Sequence, residues 1–431
     1  MKKDLFKKSS IQFLKLSVLM ACCILAGFLL IAVVYKIPVD KMWSNVQESV
    51  KTFEREGLYF PVQESINSRL DNFTDSFMVN NVISSGQISD LDDAMENYRV
   101  SVKGGTNIDA LSAYIHNDQY SLWSYGRYWH GYLVLLKPLF LIFNYSQIRS
   151  INTFFHIMLM CAVCIGLVKR GKGKFCIPLA VAWYVLCPPA VMLSLQFSSV
   201  FNITFTACLV ILLFHEHFEK RSYVPFFLIV GAITSFLDLL TYPVLTVLIP
   251  LTLILIIRQN NSASFLKTTK DIVAYGASWG IGFLAMWAGK WILATMLTDN
   301  NVLLKALDQI KLRTSNTSSG NETIAITTGL AKCIETLLIP PVQFILLVCL
   351  IVSVLILIKN RKHISCRFVS IYPFVFISII PVIWLIITNN HSSIHFWFTY
   401  RNLAATVFAL YSGILAQIEQ PSQDNDSGTA V

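Results

Sequence analysis

The chain has 431 residues, of which 55% are hydrophobic and 14% are charged, and its formal net charge is +9. An average soluble domain carries roughly 25% charged residues, so this composition excludes a soluble globular protein, a disordered chain and a collagen-like chain. The Lys and Arg residues lie in short clusters between apolar runs rather than on one face or in a basic tail, so nucleic acid is not expected as a partner.

Apolar runs long enough to cross a bilayer recur along the chain. A helix needs about 20 mostly apolar residues to cross the roughly 30 Å hydrocarbon core. The sequence therefore predicts an all-α integral membrane protein with about ten transmembrane helices. The predicted spans cover residues 11–35, 148–168, 175–195, 198–214, 223–239, 244–257, 272–297, 337–358, 368–387 and 401–418.

Basic clusters give the orientation of these spans. They precede the first span and follow the second, fourth, sixth and eighth. Because Lys and Arg near span ends stay on the cytoplasmic side, both termini are predicted to be cytoplasmic. The first run, within residues 1–35, is predicted to be a permanent anchor, since no small-residue cleavage pattern follows it. The polar tail, residues 419–431, is predicted to be disordered.

The stretch from residue 36 to residue 147 lies on the outer side in this topology. It is too polar for the membrane and too long for a simple connector, so we expect it to be folded. Its predicted helices cover residues 42–56, 75–85 and 90–100. Residues 132–143 are predicted to lie in the membrane interface beside an aromatic belt, which is formed by Trp123, Tyr125, Tyr128, Trp129 and Tyr132. A second outer loop is predicted at residues 298–335, within the helix bundle of residues 148–418.

Two acidic residues of the outer loop are candidate catalytic groups. Asp71 and Asp75 lie four residues apart in DNFTDSF, and so on one face if this segment is helical. Two neighbouring carboxyl groups raise at least one pKa, which suits a group that must accept a proton during group transfer. The structural alternative is that either residue caps a helix beside the membrane surface.

A basic and aromatic segment follows in the same loop. Arg127 and His130 lie in YGRYWHGY, directly before the predicted interfacial helix. The planar guanidinium suits phosphate oxygens, and an imidazole can donate or accept near neutral pH. Both residues could therefore hold a lipid phosphate. The alternative is an ordinary belt that contacts phospholipid headgroups.

Two further candidates lie at the outer ends of predicted spans. Asp238 stands beside Pro243, where a broken helix could line a cavity, or else it caps the next span. Lys290 lies in a predicted span that contains a G-x-x-x-G pair, Gly276 and Gly280, and also Gly282 and Gly289. These glycines predict close helix packing. The Lys290 ammonium could face a phosphate or extend to the interface.

The segment NNHSSIHFWFTYR contains the last group. His391 and His395 have the spacing of a metal pair, but H-E-x-x-H is absent and the sequence offers no third ligand, so no metal site is predicted. Arg401 opens the last predicted span, where a guanidinium normally faces a carboxylate or a phosphate. Its partner could also be Asp238, which would make both residues structural.

The order of these features resembles the C-type membrane glycosyltransferases, and within that superfamily the mannosyl- and aminoarabinose-transferase branch. Those enzymes combine an anchoring span, a long outer loop with an early acidic residue, and a stretch like H-P-P-L-Y before an apolar helix and an Arg. Here WHGYLVLLKPLFLIFNYSQIRSI stands in that place, with His130 and Arg149 matching and with Gly131 and Tyr132 at the positions of the prolines. FLDLLTYP, WAGKW and HFWFTYR also resemble uncharacterised bacterial membrane proteins of the surface-polysaccharide type.

The resemblance implies a GT-C-like fold and a polyprenyl-phosphate sugar donor, used on the outer face of a bacterial cytoplasmic membrane. In this scheme Asp75 or Asp71 deprotonates the acceptor, which is a cell-envelope glycan, lipid or protein. The donor phosphate is assigned to Arg127, His130, Lys290 and Arg401. Supporting roles are assigned to Asp238, His391, His395 and Tyr400. No cofactor is assigned, and a requirement for a divalent cation is left open. Membrane lipids are the remaining expected partners.

Two other functions are left open by the sequence. A transporter or flippase of a lipid-linked saccharide predicts two related halves and ionisable groups near the middle of the membrane, whereas the polar candidates here gather at the outer rim. A noncatalytic envelope assembly protein would bind a partner through its outer loop and would tolerate the loss of both Asp71 and Asp75.

Overall fold

The computed structural model describes residues 2–85, 88–260, 264–318, 320, 322–361 and 368–418, so the predicted disordered tail lies outside the described residues. The helices are α1 (Lys2–Val34), α2 (Asp40–Glu56), α3 (Asn72–Ile83), α4 (Asp90–Glu96), α5 (Asn107–His116), α6 (Leu133–Phe140), α7 (Tyr145–Lys169), α8 (Cys176–Val185), α9 (Pro188–Leu193), α10 (Leu195–Arg221), α11 (Val224–Leu237), α12 (Leu245–Ile257), α13 (Phe265–Leu297), α14 (Val302–Arg313), α15 (Thr328–Leu337), α16 (Pro340–Lys359), α17 (Phe368–Ile387), α18 (Asn389–Ile394), α19 (Phe396–Thr399) and α20 (Leu403–Leu415). Two short strands, β1 (Arg99–Ser101) and β2 (Ser121–Trp123), pair antiparallel.

Helices that suit a membrane dominate this fold. Within the described ranges, six helices are long and apolar enough to cross a bilayer. These segments are Ser10–Val34, Tyr145–Lys169, Leu195–Arg221, Phe265–Leu297, Pro340–Lys359 and Ser370–Ile387. The predicted all-α membrane class is therefore confirmed.

The remaining predicted spans are shorter helices. The helices α8, α11, α12 and α20 have 10 to 14 residues, and at 1.5 Å per residue they extend about 15 to 21 Å, less than the hydrocarbon core. The predicted span at 175–195 is wrong as a single helix. Cys187 adopts a left-handed φ of 56° and Pro188 starts α9, because the residue before a proline is disfavoured in the helical region and proline lacks an N–H.

The segment of residues 36–147, for which we keep the label outer loop, contains helices α2 to α6. The predicted helices at 42–56 and 75–85 correspond to α2 and α3, although α3 starts three residues earlier. The helix predicted at 90–100 ends at Glu96, because Asn97 adopts a left-handed φ of 49° and the chain continues as β1. Helix α5 was missed, although Thr106 and Asp109 form a capping box at its start.

The predicted aromatic belt is wrong for three of its five residues. Trp129, Tyr132 and Tyr128 are buried in the protein core, and the indole N–H of Trp129 donates to the carbonyl of Met286 at 2.7 Å. The predicted interfacial helix, α6, is anchored to the outer loop by Lys137, whose buried ammonium donates to the carbonyl of Val82 at 2.9 Å. Side chains of this segment therefore hold the outer loop against the bundle.

Helices α11 and α13 pack closely against each other in the membrane part. A Cβ atom on Gly231 would lie 2.0 Å from the carbonyl oxygen of Trp279, and one on Gly282 would lie 2.0 Å from that of Leu228. Each glycine therefore lets the backbone of the other helix approach. The predicted close packing at the glycines of α13 is confirmed for Gly282, but Gly276 and Gly280 do not take part, since a Cβ on either would meet nothing within 4 Å.

Replacing Gly231 with Ala should destabilise the protein strongly. The added methyl group meets backbone rather than a flexible side chain, so α11 and α13 must separate, at a cost of about 1–3 kcal/mol. Thermal unfolding in detergent should show a melting temperature several degrees lower. Gly276→Ala is the control, because its methyl group enters open space and favours the helix. An unchanged melting temperature for Gly231→Ala would contradict this packing.

Candidate functional site

Asp75 lies fully buried at the start of α10 and accepts hydrogen bonds from four groups. The donors are Tyr145 Oη at 2.7 Å, the backbone N–H of Leu195 at 2.8 Å, the backbone N–H of Gln196 at 3.0 Å and Ser194 Oγ at 3.3 Å. Burial raises the pKa of Asp75, and these donors oppose that rise. All the acceptor positions of this carboxylate are occupied, so Asp75 caps α10 and has no free position for a substrate proton.

Asp71 has fewer partners. It is the N-cap of α3, where it accepts from the backbone N–H of Thr74 at 3.2 Å and from the Thr74 hydroxyl at 2.8 Å. Each oxygen keeps one further acceptor position. Burial and, secondly, the charge of Asp75 raise the pKa of Asp71 to about 7. A carboxylate in this state can accept a proton near neutral pH.

Two buried polar groups with spare capacity lie close to the two acids: the charge of Arg401 acts on Asp71, and the backbone N–H of Gln196 donates to Asp75. Arg401 donates through Nε to Leu186 O at 2.8 Å and through Nη2 to Asn67 O at 3.0 Å, while its Nη1 has no partner among the described residues. Gln196 Oε1 is likewise buried without a described partner. We call Asp71, Gln196 and Arg401 the Asp71 cluster.

Arg149, which matches the arginine of the resembled family, joins the outer loop to the bundle. Its Nη1 contacts both carboxylate oxygens of Glu56 at 2.9 Å, and its Nη2 donates to Asn72 Oδ1 at 2.8 Å and to Tyr145 Oη at 2.6 Å. Tyr145 in turn donates to Asp75. This buried network fixes the start of α3, and thereby the position of Asp71.

A separate apolar groove runs along the C-terminal half of α13. Its floor is an aromatic ladder, which we define as Trp279, Phe283, Trp287 and Trp291. Successive ring centroids are 5.2, 5.3 and 5.5 Å apart. The first and last rings are twelve residues apart, which corresponds to about 18 Å along the helix. Trp384 and Ile387 of α17 line the opposite wall.

Two arginines lie at the groove. Arg127 comes from the segment after β2 and Arg313 from the end of α14. Arg127 lies over the ring of Tyr125 at 4.2 Å, and across the described ranges no carboxylate forms an ion pair with either arginine. Trp287 Nε1 is buried without a hydrogen-bond partner among the described groups. The groove thus combines an apolar wall with unpaired donors, and none of its described lining residues is acidic.

Two of the predicted phosphate ligands are placed inside packed interfaces instead. His130 bonds to Tyr132 Oη at 2.8 Å and to Tyr125 O at 3.2 Å, and burial lowers its pKa to about 3. Lys290 is buried away from the groove and donates to Ala94 O at 3.0 Å. Neither side chain lines the groove, although the charges of Lys290 and Arg127 both act on His130. Lys290 holds α4 against α13, and His130 holds Tyr125 close to Tyr132, the residue before α6.

The supporting residues also have structural partners. Asp238 accepts from the backbone N–H and the hydroxyl of Thr241, so it caps the turn before α12. Tyr400 Oη donates to Val185 O at 2.9 Å. Arg401 does not pair with Asp238 but belongs to the Asp71 cluster, as described above.

His391 and His395 lie beside the groove, with ring centroids 4.8 Å apart. His391 Nε2 bonds to Leu240 O at 2.8 Å. Burial lowers the pKa of His395 to about 4 and that of His391 as well, so both are neutral at pH 7. Within the part of the chain that the structure describes, no group of three or more His, Cys, Asp or Glu residues could hold a metal ion.

Sequence reasoning missed the ladder and Arg313. The ladder had a signal, since aromatic residues recur every four positions from 279 to 291 and therefore follow one helix face. Arg313 had none, because its place depends on α14 folding back towards α13. Comparisons with protein-family models, with curated proteins and with solved structures found no match for this chain. Function is therefore inferred from the groove and the Asp71 cluster.

Proposed function

We propose that the chain is a membrane glycosyltransferase that moves a sugar from a polyprenyl-phosphate-linked donor to an acceptor on the outer face of the membrane. The observation that carries the proposal is the groove, which is lined by the aromatic ladder together with two arginines that have no ion-pair partner among the described residues. An apolar tail fits the ladder, and an anionic headgroup fits the arginines.

The charge pattern of the groove supports a phosphate rather than a neutral headgroup. A guanidinium presents a planar fork of donors that matches phosphate oxygens. Arg127 and Arg313 approach from separate segments of the outer side, and the indole N–H of Trp287 adds a third donor. A tail along roughly 18 Å of α13 would cover much of one membrane leaflet.

The proposed reaction needs one base and stabilisation of one leaving group. The Asp71 carboxylate accepts the proton of an acceptor hydroxyl, and the hydroxyl oxygen attacks the anomeric carbon of the donor sugar. The bond between that carbon and the phosphate oxygen breaks, and its electron pair leaves with the lipid phosphate. Arg127 and Arg313 stabilise the developing negative charge. The products are the glycosylated acceptor and the free lipid phosphate.

The topology that accompanies this proposal has ten spans and cytoplasmic termini in a bacterial cytoplasmic membrane. In it the four short helices complete their crossings together with residues that flank them. Arg170 with Glu216, and Arg258 with Glu219 and Asp271, form ion pairs at the end of the bundle opposite the groove. This charge distribution supports placing the groove on the outer side.

Binding of a long-chain polyprenyl phosphate tests the proposal. The full chain in nanodiscs should bind this lipid at least tenfold more tightly than the polyprenol of equal length, measured by native mass spectrometry. A charge-assisted hydrogen bond contributes about 1.5–3 kcal/mol, and about 1.4 kcal/mol changes affinity tenfold. The double variant Arg127→Ala, Arg313→Ala should bind both lipids equally weakly.

Lys311→Ala is the matched control for this measurement. Lys311 carries the same charge on the same helix as Arg313, but it is highly exposed, lies outside the groove and is 3.8 Å from Asp308. It should leave the preference for the phosphate unchanged. Equal binding of the phosphate and the polyprenol by the unmodified chain would contradict the proposed donor.

A further inference from the structure

Helix α14 connects the ends of two helices that are long and apolar enough to cross a membrane, α13 and α17. Near its start, the backbone N–H of Leu303 donates to Thr295 Oγ1 at 3.1 Å, in the last turn of α13. Just beyond its end, Ser315 O accepts from the backbone N–H of Asn390 at 3.1 Å, shortly after α17 ends. Helix α14 therefore lies between the ends of these two spans.

Two stripes of opposite character run side by side along the exposed surface of α14. The apolar stripe consists of Leu304, Leu307 and Ile310, which are all exposed. The charged stripe consists of Lys305, Asp308 and Lys311, which are also exposed. Because residues three apart are neighbours on a helix surface, each set forms a continuous stripe. Charged side chains are costly in hydrocarbon, so α14 does not itself cross the membrane.

The third face of α14 packs on the protein. Val302 and Ala306 are buried, and Ala306 and Arg313 line the groove. One helix thus presents a protein-facing side, an exposed apolar side and an exposed charged side. A helix that separates apolar from charged residues in this way suits the boundary between lipid and water.

The groove is open to the side between the same two spans. Leu284 of α13 and Ile387 of α17 both line it, and they are 60% and 54% exposed. The exposed apolar surface of α13 continues towards α14, since Met296 in its last turn is 75% exposed. Large apolar side chains on a membrane span face lipid, so the apolar stripe begins close to a lipid-facing surface.

We propose that α14 binds the lipid surface of the outer leaflet, with the apolar stripe among the acyl chains and the charged stripe in water. In this position α14 forms the upper edge of the side opening between α13 and α17. A lipid then enters the groove directly from the bilayer, and its phosphate meets Arg313 at the end of α14. The inference rests on the proposed function for the side of the membrane and for the identity of this lipid.

The composition of α14 favours a lipid surface over a protein partner. Specific protein interfaces bury roughly 800 Å² on each side and are enriched in aromatic residues. The apolar stripe has three aliphatic side chains and is bordered directly by charges. Shallow insertion into the boundary between headgroups and acyl chains needs no more than this, and Lys305 and Lys311 suit the phosphates of anionic lipids.

Lipid contact at single positions of α14 tests this inference. Dansylalanine replaces either Leu307 or Asp308 in the full chain in nanodiscs, and lipids that carry a nitroxide near the glycerol end of the acyl chain act as quenchers. Quenching should be at least threefold stronger at position 307, in the apolar stripe, than at position 308, in the charged stripe. A water-soluble gadolinium chelate should quench the two positions in the reverse order.

The side opening has a separate test. Leu307→Gln weakens the hold of α14 on the lipid, so it should slow the loading of polyprenyl phosphate from donor vesicles at least threefold. Leu312→Gln is the matched control, because Leu312 is likewise 41% exposed and lies outside the groove, but one turn after Asp308 on the charged side. It should load at the rate of the unmodified chain.

Two quenching results would overturn the inference. Equal lipid quenching at positions 307 and 308 would place α14 in water. Protection of position 307 from both quenchers would mean that another protein, or a second copy of this chain, covers the apolar stripe. Equal slowing of loading by Leu307→Gln and Leu312→Gln would exclude the side opening. If lipid quenches position 307 but the unmodified chain binds no polyprenyl phosphate, the proposed donor is contradicted and the placement of α14 is supported.

Discussion

Replacing Asp71 with Asn should reduce sugar transfer at least a hundredfold and leave the fold and donor binding intact. A positioned general base contributes about a hundredfold to ten-thousandfold to rate. Asn keeps the existing contacts, since its oxygen can accept from the Thr74 N–H and its amide can donate to the Thr74 hydroxyl, the two bonds that Asp71 makes. Transfer from a lipid-linked sugar, with polyprenyl phosphate binding measured in parallel, separates the base from a purely structural cap.

The pH dependence gives a second readout for Asp71. Its pKa is raised from 3.8 to about 7, mainly by burial, so the active, ionised form should increase as pH rises through about 7. A raised carboxyl pKa contributes stability below about pH 4 that is lost as pH rises through the folded value. Asp71→Asn should therefore unfold at a higher temperature than the parent at pH 8 and not at pH 4.

Asp75→Asn is the matched comparison for Asp71→Asn. Its oxygens accept from the N–H groups of Leu195 and Gln196, one on each oxygen. An amide can accept only one of them and presents an N–H to the other, which costs about 1–3 kcal/mol. The variant should lose stability at every pH. Full transfer by Asp71→Asn, or greater loss of stability in Asp71→Asn than in Asp75→Asn, would exclude Asp71 as the base.

The two acids show what the sequence could and could not predict. Their spacing predicted one helical face, and α3 was expected close to its observed place. Their different roles depend on partners that spacing does not reveal: Asp71 caps its own helix, whereas Asp75 bonds to the backbone of Gln196, 121 residues further along the chain. Local sequence preferences indicated the helical segment α3. Contacts with distant parts of the chain determine which of the two acids has a free acceptor position.

The positions of the two buried lysines also could not be predicted from the sequence. The sequence suggested that Lys290 either faces a phosphate or extends to the interface. Instead, Lys290 and Lys137 each donate to a carbonyl near the end of an outer helix, α4 and α3 respectively. Such carbonyls lack helical partners and carry partial negative charge, so a buried cation is stabilised there. This pairing becomes visible only when the outer loop docks on the bundle.

Filling the groove at Gly280 should abolish donor binding without removing any charged or polar group. Gly280 lines the groove, and a Cβ there would meet nothing within 4 Å. A leucine side chain at this position would occupy the space proposed for the lipid tail. Gly280→Leu should therefore weaken binding of polyprenyl phosphate at least tenfold, whereas Arg127 and Arg313 remain in place.

Gly276→Leu provides the control one helical turn earlier. Gly276 also faces open space, but it does not line the groove. Both substitutions replace a helical glycine with leucine, so any general effect on α13 should be shared. Only Gly280→Leu should lose the lipid, measured by native mass spectrometry in nanodiscs. Equal binding by the two variants would mean that the lipid tail lies outside the groove. Arg127 and Arg313 could then bind the phosphate only of a lipid whose tail does not enter the groove.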